Sequence, residues 1–159
     1  MDEEPCFFDD FDSKALQQQM DLQMRVEAYA KKARHAEIPQ VLWIFDDLVD
    51  DERIRHSNHN QIATLAIRSR HFGGNLFVAT QKFRALANII RVTLTGAFVW
   101  PALSNRLERK AILEDISGRY TPEQIEELLQ FVSRRPVGFL FVDLKTTDPN
   151  KMFQDSLVQ

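Results

Sequence analysis

Two carboxylates, Asp46 and Asp47, stand side by side where the apolar run Val41–Phe45 ends, in the stretch QVLWIFDDLVDD. A carboxylate at the end of a buried strand is placed to hold Mg²⁺ through its bound water, and a second acid beside it can orient or deprotonate an attacking water. The plain alternative has both acids opening a polar loop and accepting hydrogen bonds from exposed amides. The pair alone does not separate the two. About one strand-and-helix unit later a second apolar run, NLFVA, leads into Thr80 and a polar amide, Gln81.

Other polar groups carry less. His56 and His59 have metal-like spacing, but no nearby Cys or second His pair completes a site, so they read as exposed loop histidines. Arg68–His71, RSRH, is a small basic cluster that either touches DNA phosphates or ends a helix in solvent. Gly73 and Gly74 lack the Lys-Ser/Thr that a phosphate loop requires and fit the turn between a helix and a strand.

The elements that must position these groups follow from periodicity and punctuation. Ser13 can cap a helix running to about Glu37, with Leu16, Met20, Val26 and Ala30 on its apolar side, before Pro39 stops it. Val41–Phe45, continuously apolar and too short for a buried helix, reads as a strand covered on both faces. Residues 59–71 carry Ile62, Leu65, Ala66 and Ile67 at helical spacing, and Asn75–Thr80 is a second buried strand. A short helix near Phe83–Ile89, a strand at Gly96–Trp100 and helices over about 103–116 and 122–134 come next. The last of these opens TPEQ, a capping box with proline at its first position. Val137–Asp143 is the final strand.

Strands alternating with helices predict an α/β fold, a parallel sheet flanked by helices, in which ligands bind at the carboxyl ends of the strands. Asp46, Asp47, Thr80, Gln81 and Asp143 all stand at or just past such ends. With 159 residues, 44% apolar and 27% charged, the chain is sized and composed as one soluble globular domain. Residues 1–143 are expected to form that domain and 144–159 a weakly ordered tail. A net charge of −3 gives no overall basic field for nucleic acid, so any DNA contact needs a local patch. The single cysteine, Cys6, rules out an internal disulfide framework and suits a reducing compartment. The acidic start MDEEPCFFDDFD is unlike a secretory signal, and no apolar run approaches the ~20 residues that span a bilayer; the expectation is an intracellular, soluble protein.

The acid-terminated strand, the SRHFGGNLFVATQKF segment and the downstream ANIIRV around Arg91 together resemble the FtsK/HerA superfamily of DNA-pumping ATPases. Within it the order and spacing resemble the genome-packaging ATPases of large DNA viruses and polinton-type elements, over roughly Val41–Asp143. The resemblance implies a partial P-loop NTPase core of the ASCE, RecA-like kind. It also implies roles: Asp46 (Walker B) as the Mg²⁺-water carboxylate, Asp47 as the catalytic acid and Gln81 as the γ-phosphate sensor. Arg70 would be an arginine reaching a neighbouring subunit's nucleotide, and Arg91 a second basic group near the phosphates. It further implies ATP and Mg²⁺ as cofactors of the complete enzyme. The implied partners are a homo-oligomeric ring or intact ATPase subunits, double-stranded DNA, and capsid or portal components, with no membrane, in host cytoplasm or nucleus or with the virion.

The loop G-x-x-x-x-G-K-S/T, whose amides and lysine hold a triphosphate, occurs nowhere in the sequence. The family places that loop upstream of the acid-terminated strand, so the sequence looks like the C-terminal half of the domain. Loss of its central strand is expected to leave two interior sheet edges open. Two further readings stand beside a packaging-ATPase fragment. One is a degenerate, inactive subunit acting only through protein contacts. The other is a phospho-acceptor signalling domain using Asp46, Asp47, Thr80 and Lys145, which lacks an intermediate strand-end Asp between Phe72 and Pro101.

Overall fold

The structure, a computed structural model, describes residues 7–35, 37–47, 61–102, 105–118 and 120–155. Its contacts divide the chain into two compact units, Met1–Thr80 and Gln81–Gln159.

In the first unit Asp12, not Ser13, caps helix α1 (Ser13–Lys32): its carboxylate accepts from the amides of Lys14 and Ala15 at 2.8 and 3.1 Å. These are two of the four donors that a helix start leaves without internal partners. The helix stops five residues short of Glu37, with Arg34 in left-handed backbone at φ 53° just beyond it. Leu16, Met20, Gln23 and Ala30 form its buried stripe. Gln23 is the polar member, and its Nε2 donates to the carbonyls of Pro39 at 2.7 Å and Phe72 at 3.0 Å. One side-chain amide therefore ties the helix to the lead-in of both following strands.

Those strands are β1 (Val41–Asp46) and β2 (Gly74–Ala79), joined through α2 (Gln61–Arg68) and a 3₁₀ turn at Ser69–His71. They pair in parallel, Val41 opposite Gly74 and Asp46 opposite Ala79. Gly73, at φ 72°, makes the turn into β2, and its carbonyl accepts from the Val41 amide at 3.1 Å. Gly74 has no room for a side chain, since a Cβ there would lie 2.5 Å from the Trp43 ring. Trp43 is buried, meets Phe72 edge-on at 6.2 Å and donates from Nε1 to Gln19 of α1 at 3.1 Å.

The other face of β1 departs from expectation. Leu42 is 57% and Ile44 64% exposed, so the strand is covered on one face only. A run with no polar residue in it has no alternation to reveal which face stays wet.

The second unit contains a 3₁₀ turn at Phe83–Ala85, α3 (Asn88–Val92), β3 (Gly96–Val99), α4 (Arg106–Ile116), α5 (Pro122–Val132), β4 (Leu140–Asp143), a 3₁₀ turn at Pro149–Lys151 and β5 (Phe153–Asp155). Its sheet has the order β3-β4-β5 with both pairings antiparallel, a correction to the expected parallel arrangement. One crossover helix carries the chain back to the amino end of the strand it left, so the next strand runs parallel, as between β1 and β2. Two helices in succession bring it round to the carboxyl end again, so β4 runs against β3.

The capping box before α5 forms as expected: Thr121 Oγ1 accepts from the Gln124 amide at 3.3 Å, and Gln124 accepts from the Thr121 amide at 2.9 Å. The segment after Asp143, expected to be weakly ordered, instead carries structure. Asp143 Oδ1 accepts from the amides of Lys145 and Thr146, Asp148 caps the 3₁₀ turn, and β5 pairs with β4. Among the described residues the strands thus lie in two sheets rather than one.

Candidate functional site

The acids owe their position to the β1–β2 register. Asp46 is the last residue of β1, opposite Ala79, the last of β2, so both chains leave the sheet at the same carboxyl edge. The amide of Asp47 donates to the Ala79 carbonyl at 3.0 Å, and Asp47 itself adopts φ 50°. That left-handed conformation costs a non-glycine residue about 1 kcal/mol, and Asp is among the few side chains that enter it readily. Asp47 therefore turns the chain out of the strand direction immediately after Asp46, and both side chains are exposed. Thr80 is half-buried; Gln81, two residues beyond Ala79, is exposed and opens the second unit.

The two arginines are placed differently. Arg70 lies in the 3₁₀ turn that precedes β2, at the amino end of the pair. Six residues at about 3.3 Å per residue put that end roughly 17 Å from the acids, beyond the reach of an arginine side chain. The structure does not bring Arg70 to Asp46 or Asp47 of its own chain. Arg91 is held within its unit. Its Nη1 donates to Asp115 at 2.7 Å, its Nη2 approaches Asn88 at 3.5 Å, and its guanidinium lies over the Phe83 ring at 5.7 Å. Its Nε is buried without a partner among the described residues. Asp115 is the residue that the sequence did not single out: it lies 24 positions away on α4, and no local spacing announces the contact. His56 and His59 fall outside the described residues.

Exposed carboxylates at a strand end are hard oxygen donors of the kind Mg²⁺ takes through its own waters. Among the described residues no group of three acids, histidines or cysteines converges to hold a metal directly. The donor set therefore suits an ion bound through water rather than one caged by protein. No G-x-x-x-x-G-K-S/T loop is present to hold a triphosphate.

No protein-family model and no curated protein matches the sequence. Solved structures do match the fold. The genome packaging NTPase B204 from Sulfolobus turreted icosahedral virus 2, in complex with AMPPCP, aligns with a TM-score of 0.58 and 16% identity over 91% of this chain. Its complex with ATP-gammaS aligns at 0.54 and 16% over 87%. The DNA-packaging ATPase B204 from Sulfolobus turreted icosahedral virus aligns at 0.55 and 17% over 87%. The fold is similar to that of a P-loop NTPase. The chain spans 60 to 64% of the length of these B204 chains.

Proposed function

We propose that this chain is the metal-and-sensor half of a DNA-packaging ATPase, a fragment of an enzyme that couples ATP hydrolysis to movement of double-stranded DNA into a capsid. The observation that carries the reading is the in-register parallel pair. It sends the Asp46–Asp47 step and the Thr80–Gln81 step out of one sheet edge, on a fold similar to that of viral packaging NTPases.

In this reading Asp46 accepts hydrogen bonds from the waters of Mg²⁺, and Asp47 takes the proton from the attacking water at its carboxylate. Gln81 orients that water and registers the γ-phosphate. Bound Mg²⁺ would supply charge neutralisation on the phosphate oxygens. Arg70, remote from the acids of its own chain, serves a neighbouring subunit of a ring. Arg91 reaches a phosphate only by releasing Asp115.

A second reading keeps the fold and drops catalysis: a degenerate subunit that docks on intact ATPase subunits. It is favoured by the commitment of Arg91 to Asp115.

The two separate when the chain is mixed with an intact packaging ATPase and steady-state ATP turnover is followed. The fragment reading expects no turnover by the chain alone, and a change in the ring's rate that Asp47→Asn abolishes. The docking reading expects a change that Asp47→Asn leaves intact. Turnover by the isolated chain, lost in Asp47→Asn, would overturn both.

A further inference from the structure

The charges of the first unit are segregated along its chain. Residues 1–24 carry seven Asp or Glu against Lys14 alone, whereas residues 25–35 carry four Lys or Arg and His35 against Glu27 alone. The fold keeps the two groups apart. Phe11, just ahead of α1, meets Phe45 at 6.4 Å, so the helix starts at the end of β1 that bears Asp46. Gln23, in its middle, donates to the carbonyls of Pro39 and Phe72, at the amino ends of both strands. α1 therefore runs against the strands, and the nine residues after Gln23 carry it roughly 13 Å past their start at 1.5 Å per residue.

Arg25, Tyr29 and Lys32 recur on this extension at intervals of four and three, which places them in one stripe opposite the buried Leu16, Met20, Gln23 and Ala30. All three are exposed, Tyr29 by 70%. Arg34, in its left-handed turn, and His35 follow directly, and the His35 ring stands 6.3 Å from that of Tyr29. Among the described residues Arg25, Lys32 and Arg34 enter no ion pair, and Lys31 is taken by Glu27. The next acid along the chain is Glu37.

A helix C-terminus favours cations only within its last turn. That covers Lys32, but not Arg25 two turns earlier, nor an exposed tyrosine between them. Cations clustered along one helix face are the electrostatic footprint of a nucleic-acid contact, and tyrosine hydroxyls also bind phosphate. The helix rises about 10 Å from Arg25 to Lys32, the rise of three nucleotides on one strand at about 3.4 Å each.

We propose that this stripe, Arg25, Tyr29 and Lys32 with Arg34 at its tip, holds the phosphate backbone of double-stranded DNA. Arg25, Lys32 and Arg34 each neutralise one phosphate, and the Tyr29 hydroxyl donates to a phosphate oxygen between them. The contact reads no bases. That the polyanion is duplex DNA rests on the reading of the chain as part of a DNA-packaging ATPase. The stripe lies past the amino ends of the strands, remote from Asp46 and Asp47, and makes no use of Arg70.

Fluorescence anisotropy of a labelled duplex of about 30 base pairs, titrated with the full chain in the absence of nucleotide, tests it. Binding is expected at micromolar concentrations or above, with log affinity falling against log salt at a slope of about −2.7 for three phosphates. Arg25→Gln, Lys32→Gln and Arg34→Gln should each make the slope shallower by about 0.9. Tyr29→Phe should weaken binding about 2- to 3-fold and leave the slope unchanged. Lys14→Gln removes the same charge at the other end of α1 and should change nothing. If Arg34→Gln fails to fold, the double variant Arg25→Gln/Lys32→Gln, at exposed helical positions, should still lose about 1.8 of the slope.

A chain that binds no duplex at low salt would overturn the proposal, as would a slope that Arg25→Gln and Lys32→Gln do not move. So would an equal loss in Lys14→Gln, or tighter binding to a single strand of the same length. The assay holds no ATP and no second subunit, so its outcome is separate from the turnover test. A chain that changes the ring's rate yet binds no duplex keeps the fragment reading and loses the stripe. One that binds duplex through the stripe but leaves the ring's rate untouched keeps the contact and loses the fragment reading.

Discussion

The two sheets treat their outer faces in opposite ways. In the parallel pair β1–β2 one face lies against α1 and the other presents the aliphatic side chains Leu42 and Ile44 to solvent. In the antiparallel sheet, Val99, Leu140 and Val142 are buried on the inner face with Ile125, Leu129 and Val132 of α5. The outer face there is aromatic. Phe98 meets Phe141 at 4.8 Å and Phe139 at 5.5 Å, and Trp100 meets Phe139 at 5.7 Å. Aromatic rings can cover part of one another's area by tilted and edge contacts that are themselves favourable. Branched aliphatic chains have no such contact to make and need a separate surface.

The comparison breaks most visibly where each unit depends on a single close fit. Trp43→Ala, which empties the space under β1 and removes the bond to Gln19, is expected to destabilise the first unit by about 3–5 kcal/mol. Gly138→Ala should be as costly in the second unit, because a Cβ there would lie 1.9 Å from the Val132 carbonyl oxygen. Amide hydrogen exchange of β1 and β2 in the first variant, and a guanidinium titration followed by Trp100 fluorescence in the second, would show that each change loosens its own unit.

Gln23→Ala is next in size. It strips the buried Phe72 carbonyl and the part-buried Pro39 carbonyl of their side-chain donor and should cost the first unit about 1–3 kcal/mol, read as a lower denaturation midpoint with unchanged slope. Loss of a cap is smaller and similar in the two units: Asp12→Ala and Thr121→Ala should each cost about 1 kcal/mol.

The smallest effect is electrostatic and belongs to the second unit. Arg109 donates to both carboxylate oxygens of Glu126, at 2.9 and 2.6 Å, and this hydrogen bonding, followed by weaker direct charge attraction, holds the Glu126 carboxyl below its ordinary value of 4.5. A depressed folded-state value means that the stabilisation is full above 4.5 and fades as pH falls through the lowered value. Glu126→Gln should therefore cost under about 1 kcal/mol at neutral pH, for a partly exposed pair, and nothing once the wild-type carboxyl is protonated. Thermal melts of both proteins across that range would show the two curves converge in acid.

Much of this molecule is local and was legible in the order of its residues. TPEQ places its capping box by contacts three residues apart, and the turn at Gly73 needs only a residue free to adopt positive φ. The existence of β1 and β2, and the position of Asp46 and Gln81 at or just past strand ends, followed from runs of apolar residues meeting polar ones. Ser13 was the nearer-looking cap, but Asp12 holds the backbone geometry that lets one carboxylate reach two amides.

What tertiary structure decided was everything that depends on partners distant in sequence. The antiparallel return of β4, the strand β5 after Asp143, the capture of Arg91 by Asp115 and the separation of Arg70 from the acids all involve contacts or positions set by the folded chain. The wet side of β1 was hidden for the same reason. An unbroken apolar run carries the same composition on both faces, and only packing chooses which one α1 covers.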